Sequence, residues 1–425
     1  MKNLFLLPTI LNLRLGCRSK TGVHAILDTW PVPLPLIIHA NFNAEGVDED
    51  DIIGALEHRG CMAGVYLRGL SRVSYSQLRK CIALMQEPFP VLRSLVLWED
   101  EKSMFDLTDK FLGDSAPLLQ IISLRGIRFP SLPKLLSSTS DLVSLNLRGI
   151  PMTDTGHISP DVMTTCLSVL TKLRSLTITF SRKTQSPYPK DQRPPPSTHT
   201  VLPALVHLWL GGPHGYLEDI LGRVDAPLLN SGKLQFYDEP MFDTPRVPQF
   251  LYRTKMFKFL RGVEIHFNRA GIWASFRSSI SPAMLYLSFP CSGFPTQVPI
   301  MERICGQWLP IVSHAELLKL GDEFTEKKEW ESTTPWLEFL RPFIAVQTLR
   351  IRVTDKRPHI AHILEGLKGK GAIESLPALR TIEFISSELV ASESMLLLEP
   401  FLFARDESEH PIEVYADIIE DLDTE

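Results

Sequence analysis

Several familiar signals are missing from these 425 residues. No Asn-x-Ser/Thr triplet occurs, so nothing marks a glycosylated ectodomain. The six cysteines, Cys17, Cys61, Cys81, Cys166, Cys291 and Cys305, stand singly, with no Cys-x-x-Cys pair. Single, scattered cysteines read as reduced, buried thiols rather than a disulfide framework or a zinc site. No apolar run approaches the roughly 20 residues that cross a bilayer, and no membrane partner is expected. Basic residues form no block: 44 Lys and Arg face 49 Asp and Glu for a net charge of −5, so no nucleic-acid partner is expected. A Gly-x-x-x-x-Gly-Lys-Ser/Thr phosphate loop and a Gly-x-Ser-x-Gly nucleophile turn are both absent. The start, Met1–Leu11, has one Lys and a short apolar run but no small-x-small cleavage site, so it does not read as a signal peptide. Leu15-Gly16-Cys17 suggests a lipoprotein signal, yet Arg14 sits where an apolar residue is wanted. The expected location is cytoplasmic or nuclear.

What is present is a repeat. Leu-Pro-Ala-Leu occurs at Leu202–Leu205 and again at Leu376–Leu379, each time running into apolar residues three and five places on. The full pattern is met at Leu92/Leu95/Leu97, Leu119/Ile122/Leu124, Leu142/Leu145/Leu147, Leu173/Leu176/Ile178 and Leu205/Leu208/Leu210. It returns at Leu260/Val263/Ile265, Ala315/Leu318/Leu320, Val346/Leu349/Ile351 and Leu379/Ile382/Phe384. Weaker copies keep the last two positions at Leu36/Ile38, Val65/Leu67, Leu234/Phe236, Leu285/Leu287 and Ile412/Val414. The first positions fall at 33, 62, 92, 119, 142, 173, 205, 231, 260, 282, 315, 346, 379 and 409, a mean spacing of about 29 residues. That is the long end of the leucine-rich range. The expected fold is α/β: an irregular leucine-rich-repeat solenoid of about 14 strand–turn–helix units of about 29 residues, spanning 33–415. Residues 1–32 are read as an N-terminal capping segment.

Helical signals lie between the strands. Ser159-Pro160 and Thr334-Pro335 each pair an N-cap residue with a first-turn proline. The acidic run Asp48–Asp51 precedes Ile52, Ile53 and Leu56, a short helix that Gly60 can end. Leu78, Ile82 and Met85 share helical spacing. Gly211-Gly212-Pro213-His214-Gly215 reads as a strand-to-helix turn, because Pro213 removes a donor that a phosphate cradle would use. The Asn or Cys usual after the strand is missing, since Leu147 is followed by Arg148-Gly149-Ile150, so an uneven arc is expected. Residues 181–200 are polar and proline-rich and read as a mobile loop. Glu413–Glu425 carries six acidic residues without Lys or Arg and reads as a solvated acidic end, with 416–425 as a tail. His359 and His362, with Glu365, are a helix-surface group rather than a metal site. Asp322, Glu323, Glu326 and Glu329, interleaved with Lys327 and Lys328, suit a solvated face. No cofactor, no metal and no catalytic residue is expected, and the chain does not read as an enzyme.

If the marked positions face the core, the third, fifth and seventh residues of each unit face outward on the concave sheet. These are Trp98, Ile121, Arg125, Asn146, Arg148, Thr177, His207, Trp209, Glu264, His266, Lys319, Arg350, Arg352 and Glu383. Trp and Arg are over-represented where interfaces carry their binding energy, so the candidate partner-binding residues are Trp98, Arg125, Arg148, His207, Trp209, His266, Arg350 and Arg352. Arg125 and Arg148 hold the same position in adjacent units and are expected side by side, favouring an acidic patch on a partner.

The long irregular units, the repeated Phe/Leu-Pro-x-Leu lead-in at Phe89–Leu92, Leu202–Leu205 and Leu376–Leu379, and Asp225-Ala226-Pro227-Leu228 carry a resemblance. Over nearly all its length the chain resembles the F-box/leucine-rich-repeat proteins of mushroom-forming (basidiomycete) fungi. The resemblance implies a non-enzymatic module that captures a protein target for a Skp–cullin–F-box ubiquitin ligase, the F-box holding the Skp-type adaptor. The chain departs from that plan, because an F-box needs a helical bundle ahead of the repeats and the first mark is already at 33. An F-box upstream of Met1, a lost F-box and a free-standing repeat scaffold all stay open, and the adaptor contact is carried to no residue here.

Overall fold

The computed structural model of the protein describes residues 11–15, 34–43, 49–99, 105–151, 158–182, 199–238, 245–278, 284–291, 294–322, 336–352, 374, 376–386 and 388–418. The chain divides into two compact units, Met1–Pro227 and Leu228–Glu425.

The strands start where they do because of a turn repeated along the chain. The backbone N–H of Leu92 donates to the carbonyl of Phe89, that of Leu205 to Leu202 and that of Leu379 to Leu376, at 3.1–3.2 Å. Leu119 with Ala116, Leu142 with Thr139, Leu173 with Leu170, Ala315 with Val312 and Val346 with Phe343 close the same way. Both residues of every such pair are buried. Pro90, Pro117, Pro203 and Pro377 fill the second place of four of these turns, where a fixed φ near −65° is wanted. The Leu-Pro-x-Leu motif is therefore a turn that drives its first and fourth side chains into the core, and the fourth is the first marked residue of its unit. The next two marked residues are buried too, in all the full-pattern units. Each buried Leu is worth about 1.5–3 kcal/mol of transfer free energy.

In the first unit eight strands run parallel in chain order: β1 (Leu11–Leu15), β2 (Leu36–Asn41), β3 (Met62–Arg68), β4 (Ser94–Trp98), β5 (Ile121–Arg125), β6 (Ser144–Ile150), β7 (Ser175–Phe180) and β8 (His207–Gly212). The connections carry α1 (Glu49–Glu57), α2 (Tyr75–Leu84), α3 (Leu132–Leu136), α4 (Pro160–Ser168) and α5 (His214–Arg223). Ser159 caps α4 by accepting from the N–H of Val162, with Pro160 in the first turn as expected. Glu49 of α1 accepts from the N–H and hydroxyl of Ser74, at 2.9 and 2.8 Å, and so ties the start of α2 to α1. Gly60 does not terminate α1: the helix ends at Glu57 and Gly60 lies in the 3-10 turn Arg59–Cys61. The unit of Leu92 has the 3-10 turn Phe111–Asp114 where an α-helix was expected.

The second unit holds β9 (Ser231–Phe236), β10 (Leu260–Asn268), β11 (Gly271–Ser278), β12 (Met284–Pro290), β13 (Leu317–Asp322), β14 (Thr348–Arg352), β15 (Thr381–Ser386) and β16 (Glu413–Ile418). Its helices are α6 (Arg246–Arg253), α7 (Phe294–Gln307), α8 (Leu309–Val312), α9 (Trp336–Leu340) and α10 (Glu388–Glu407). Arg405 of α10 is buried and donates from Nη2 to the carbonyls of Leu379 and Leu376, at 2.9 and 3.5 Å, fixing the lead-in turn of β15. Here the succession of units fails. The chain passes from β9 to β10, turns back antiparallel as β11, then returns as β12 to pair with β9, giving the order β9-β12-β11-β10-β13-β14-β15-β16. Residues 260–290 are thus a three-stranded meander rather than two consecutive repeat units, and a count of 14 successive units does not carry over. Its hairpin depends on Gly271, at φ +147°, where an added Cβ would sit 2.0 Å from the carbonyl oxygen of Phe289. The weak copy Ile412/Val414 does lie in register with β15, Val414 opposite Ile382, and the second correction concerns the tail expected from 416, whose first residues 416–418 still belong to this strand.

Each unit resembles a leucine-rich-repeat fold, a mixed α/β arrangement built on a long, mainly parallel sheet. The five described cysteines are buried and form no disulfide among the described residues, and burial with the nearby Glu49 carboxylate pushes the Cys81 thiol up to about 11. No helix among the described residues is long and apolar enough to cross a membrane. Of the proline-rich loop expected at 181–200, residues 183–198 lie outside the described residues, and its end, Thr200, belongs instead to a short strand that pairs with Val224–Asp225. Of the acidic–basic stretch only Asp322 is described, as the last residue of β13, and the Thr334-Pro335 cap and the histidine pair lie outside the described residues.

Leu208 is buried and His207 beside it is exposed. We expect Leu208→Ala to destabilise by about 2–5 kcal/mol, as removal of a packed leucine does. His207→Ala should stay within about 0.5 kcal/mol of the parent. Urea titration of both variants followed by circular dichroism checks the pair, and equal midpoints would contradict the assignment of faces.

Candidate functional site

With the marked residues pointing inward, the outward residues of successive strands line up by register. The seventh positions of β3 to β6 form one row, Arg68–Trp98–Arg125–Arg148. Adjacent strands lie about 4.8 Å apart, so this row spans about 14 Å. Its backbone is held one step beyond each strand: Gly69 N–H donates to the carbonyl of Trp98 at 2.9 Å, Glu99 to Arg125 at 2.8 Å and Gly126 to Arg148 at 2.8 Å. Gly69 and Gly126, at φ +72° and +65°, make the left-handed exit that lets the chain leave the sheet there.

The side chains of the row are ordered by their neighbours. The guanidinium carbon of Arg68 sits 4.0 Å above the ring of Trp98, and the Trp98 indole N–H donates to Ser123 Oγ at 3.1 Å. The guanidinium carbon of Arg148 lies 4.4 Å over the ring of Trp209, while its Nε donates to Asn146 Oδ1 at 2.9 Å. Each cation–ring pair contributes about 0.5–1 kcal/mol at an exposed site. Burial, and then the neighbouring Arg125, lower the pKa of the Arg148 guanidinium. Arg125 is exposed, whereas Trp98, Arg148 and Trp209 are half-buried. His207 is exposed at the third position of β8, opposite Ser175.

The charge on this face is of one sign. Across the third, fifth and seventh positions of β2 to β8 the charged residues are Arg68, Arg125 and Arg148, and no Asp or Glu occurs. None of the three arginines has a carboxylate partner among the described residues. The sequence reading omitted Arg68, because the weak copy Val65/Leu67 was not carried on to its seventh position. Counting six places from the mark at 62 reaches it.

The second unit treats the same positions differently. Glu264 of β10 is a hub: the His266 ring N–H donates to it at 3.1 Å, Arg277 approaches at 3.3 Å and Ser275 Oγ at 3.4 Å. Burial by itself would raise the Glu264 carboxyl. The hydrogen bond from His266, with the proximity of His266, Lys319 and Arg277, outweighs it and holds the pKa below the ordinary carboxylate value. His266, expected on the exposed face, is 7% exposed and stacked at 3.9 Å on Trp273 of β11. The ring also occupies the space above Gly321, where an added Cβ would come within 2.7 Å of it. It is therefore part of the packing and not a free contact residue. Arg350 is ion-paired with Glu383. Arg352 is exposed, opposite Gly321 and Ile385. Of the eight candidate residues, register and ring contacts bring together Trp98, Arg125, Arg148 and Trp209 in the first unit.

A carboxyl whose pKa is depressed in the folded state adds stability above its unfolded pKa of about 4.3 and loses it as the pH falls through the folded value. Glu264→Gln should therefore cost about 1–3 kcal/mol at pH 7, with the gap to the parent narrowing below about pH 4. Urea midpoints of both proteins at the two pH values check this, and a gap independent of pH would contradict it.

No protein-family model matches the chain. No curated protein matches it either. Among solved structures it is similar to the leucine-rich repeat-containing protein LegL7 from Legionella pneumophila, with 11% sequence identity, 91% of this chain and 97% of that chain covered, and a TM-score of 0.30. A likeness that loose carries no weight on function.

Proposed function

We propose that the protein is a non-enzymatic, protein-binding repeat scaffold and that Arg68, Trp98, Arg125, Arg148 and Trp209 form its partner-binding face. The observation that carries this is three arginines without carboxylate partners, ordered over two tryptophans on an open sheet face. Arg and Trp recur where interfaces concentrate their binding energy, and ordering them in advance reduces the entropy lost on association. The finer part of the proposal is that this face captures a protein target for an F-box-type ubiquitin ligase, in the cytoplasm or nucleus. Ubiquitin transfer would then belong to the recruited ligase, and a Skp-type adaptor would be a partner only if an F-box is encoded with this chain. That finer part is supported by the sequence resemblance alone.

Affinity capture from a lysate of the source cells, quantified by mass spectrometry, tests the face. Trp209→Ala and Arg148→Ala should each reduce recovery of the principal partners by about tenfold or more, with an unchanged circular-dichroism spectrum. Recovery equal to that of the parent would remove this face from consideration. Adaptor capture by the product of the full native transcript tests the ligase assignment separately.

A further inference from the structure

We propose that the row Arg68–Trp98–Arg125–Arg148 binds an extended acidic segment of a partner protein, laid across the strands with its carboxylates over the three arginines. The inference rests on the partner-binding reading above and adds the chemistry of what is bound.

Charge is the first argument. Like charges on directly opposed strand positions destabilise a sheet, and Arg125 is paired in register with Arg148. In the second unit Arg350 is matched by Glu383 and the Glu264 carboxylate by His266 and Arg277, while Arg352, at the seventh position of β14, stands exposed opposite Gly321 and Ile385. The first unit carries no such match, so an acidic ligand is what neutralises it.

Geometry is the second. Ring stacking and the Asn146 bond hold Arg148 by its face and its Nε. Its Nη groups make no hydrogen bond among the described residues, which leaves the fork that carboxylates take up. The three cations are strung along about 14 Å rather than converging on one point. An extended strand of about five residues covers that span, with every second side chain, about 6.6 Å apart, on one face.

A nucleic acid fits less well. Single strands bind by stacking bases on open aromatic rings, but the guanidinium groups of Arg68 and Arg148 already occupy stacking positions above Trp98 and Trp209. The chain's net charge of −5 also opposes a polyanion of that length.

Fluorescence anisotropy with the full chain tests the proposal. The probes are a labelled peptide of about ten residues alternating Glu and Ser, its Gln–Ser counterpart, and an oligouridylate of about ten nucleotides. The Glu–Ser peptide should bind saturably, about tenfold or more tighter than the Gln–Ser peptide, and weaken as salt rises. The double variant R125Q/R148Q should lose about tenfold in affinity, with Lys172→Gln, an exposed cation paired with Asp141, unchanged. Circular dichroism confirms that each variant is folded, and the milder pair R125K/R148K should lose less. Equal affinity for the two peptides, no saturable binding up to about 1 mM, insensitivity to R125Q/R148Q, or tighter binding of the oligouridylate would each overturn it. If the peptides fail while Arg148→Ala still loses captured partners, the acidic assignment falls and the partner-binding face stands. If capture is also unchanged, the face itself falls.

Discussion

Everything on the open sheet face depends on one turn. Before eight of the strands, the N–H of the first marked residue closes onto the carbonyl three residues earlier, with both side chains driven into the core. That closure sets the phase in which the strand begins. A parallel ladder then copies the phase to the next strand, because a slip of one residue would send every buried leucine to the water side. The outward row of Arg68, Trp98, Arg125 and Arg148 is thus a by-product of where leucines are buried. No attraction among the arginines is needed to assemble it.

The two units use this scaffold in contrasting ways. The second pairs its outward charges around Glu264 and between Arg350 and Glu383, and leaves Arg352 exposed at its edge. Such half-exposed pairs add little stability, about 0–1 kcal/mol each, but the paired groups themselves offer little attraction to a charged ligand. The first tolerates three cations because water and salt screen them and because two lie on indole rings. That tolerance leaves a field of one sign over a shallow, ordered surface. Steering and selection of an oppositely charged partner follow from such a field.

Much of this was legible before any coordinates. The marked residues are the core, Ser159 and Pro160 open a helix, Pro213 precedes one, and Arg125 lies beside Arg148, because each follows from local spacing or from the copying of phase between parallel strands. The meander at 260–290 was not, since Leu285/Leu287 fits the repeat as well as it fits a returning strand. Its one visible sign was the strict alternation Ile272, Ala274, Phe276 between two marks, which reads as an extra strand.

The sequence by itself determined which strand positions point into the core and which point to the other face of the sheet, because alternation and turn closure act over a few residues. Only the tertiary structure decided which outward residues remain available. His266 is withdrawn by Trp273, which the antiparallel return brings alongside it, and Arg350 is taken up by Glu383 from the next strand. Arg125 and Arg148 keep their charge unmatched because no carboxylate stands in register with them. Pairing across strands depends on which strands become neighbours, and a spacing pattern along one chain does not encode that choice.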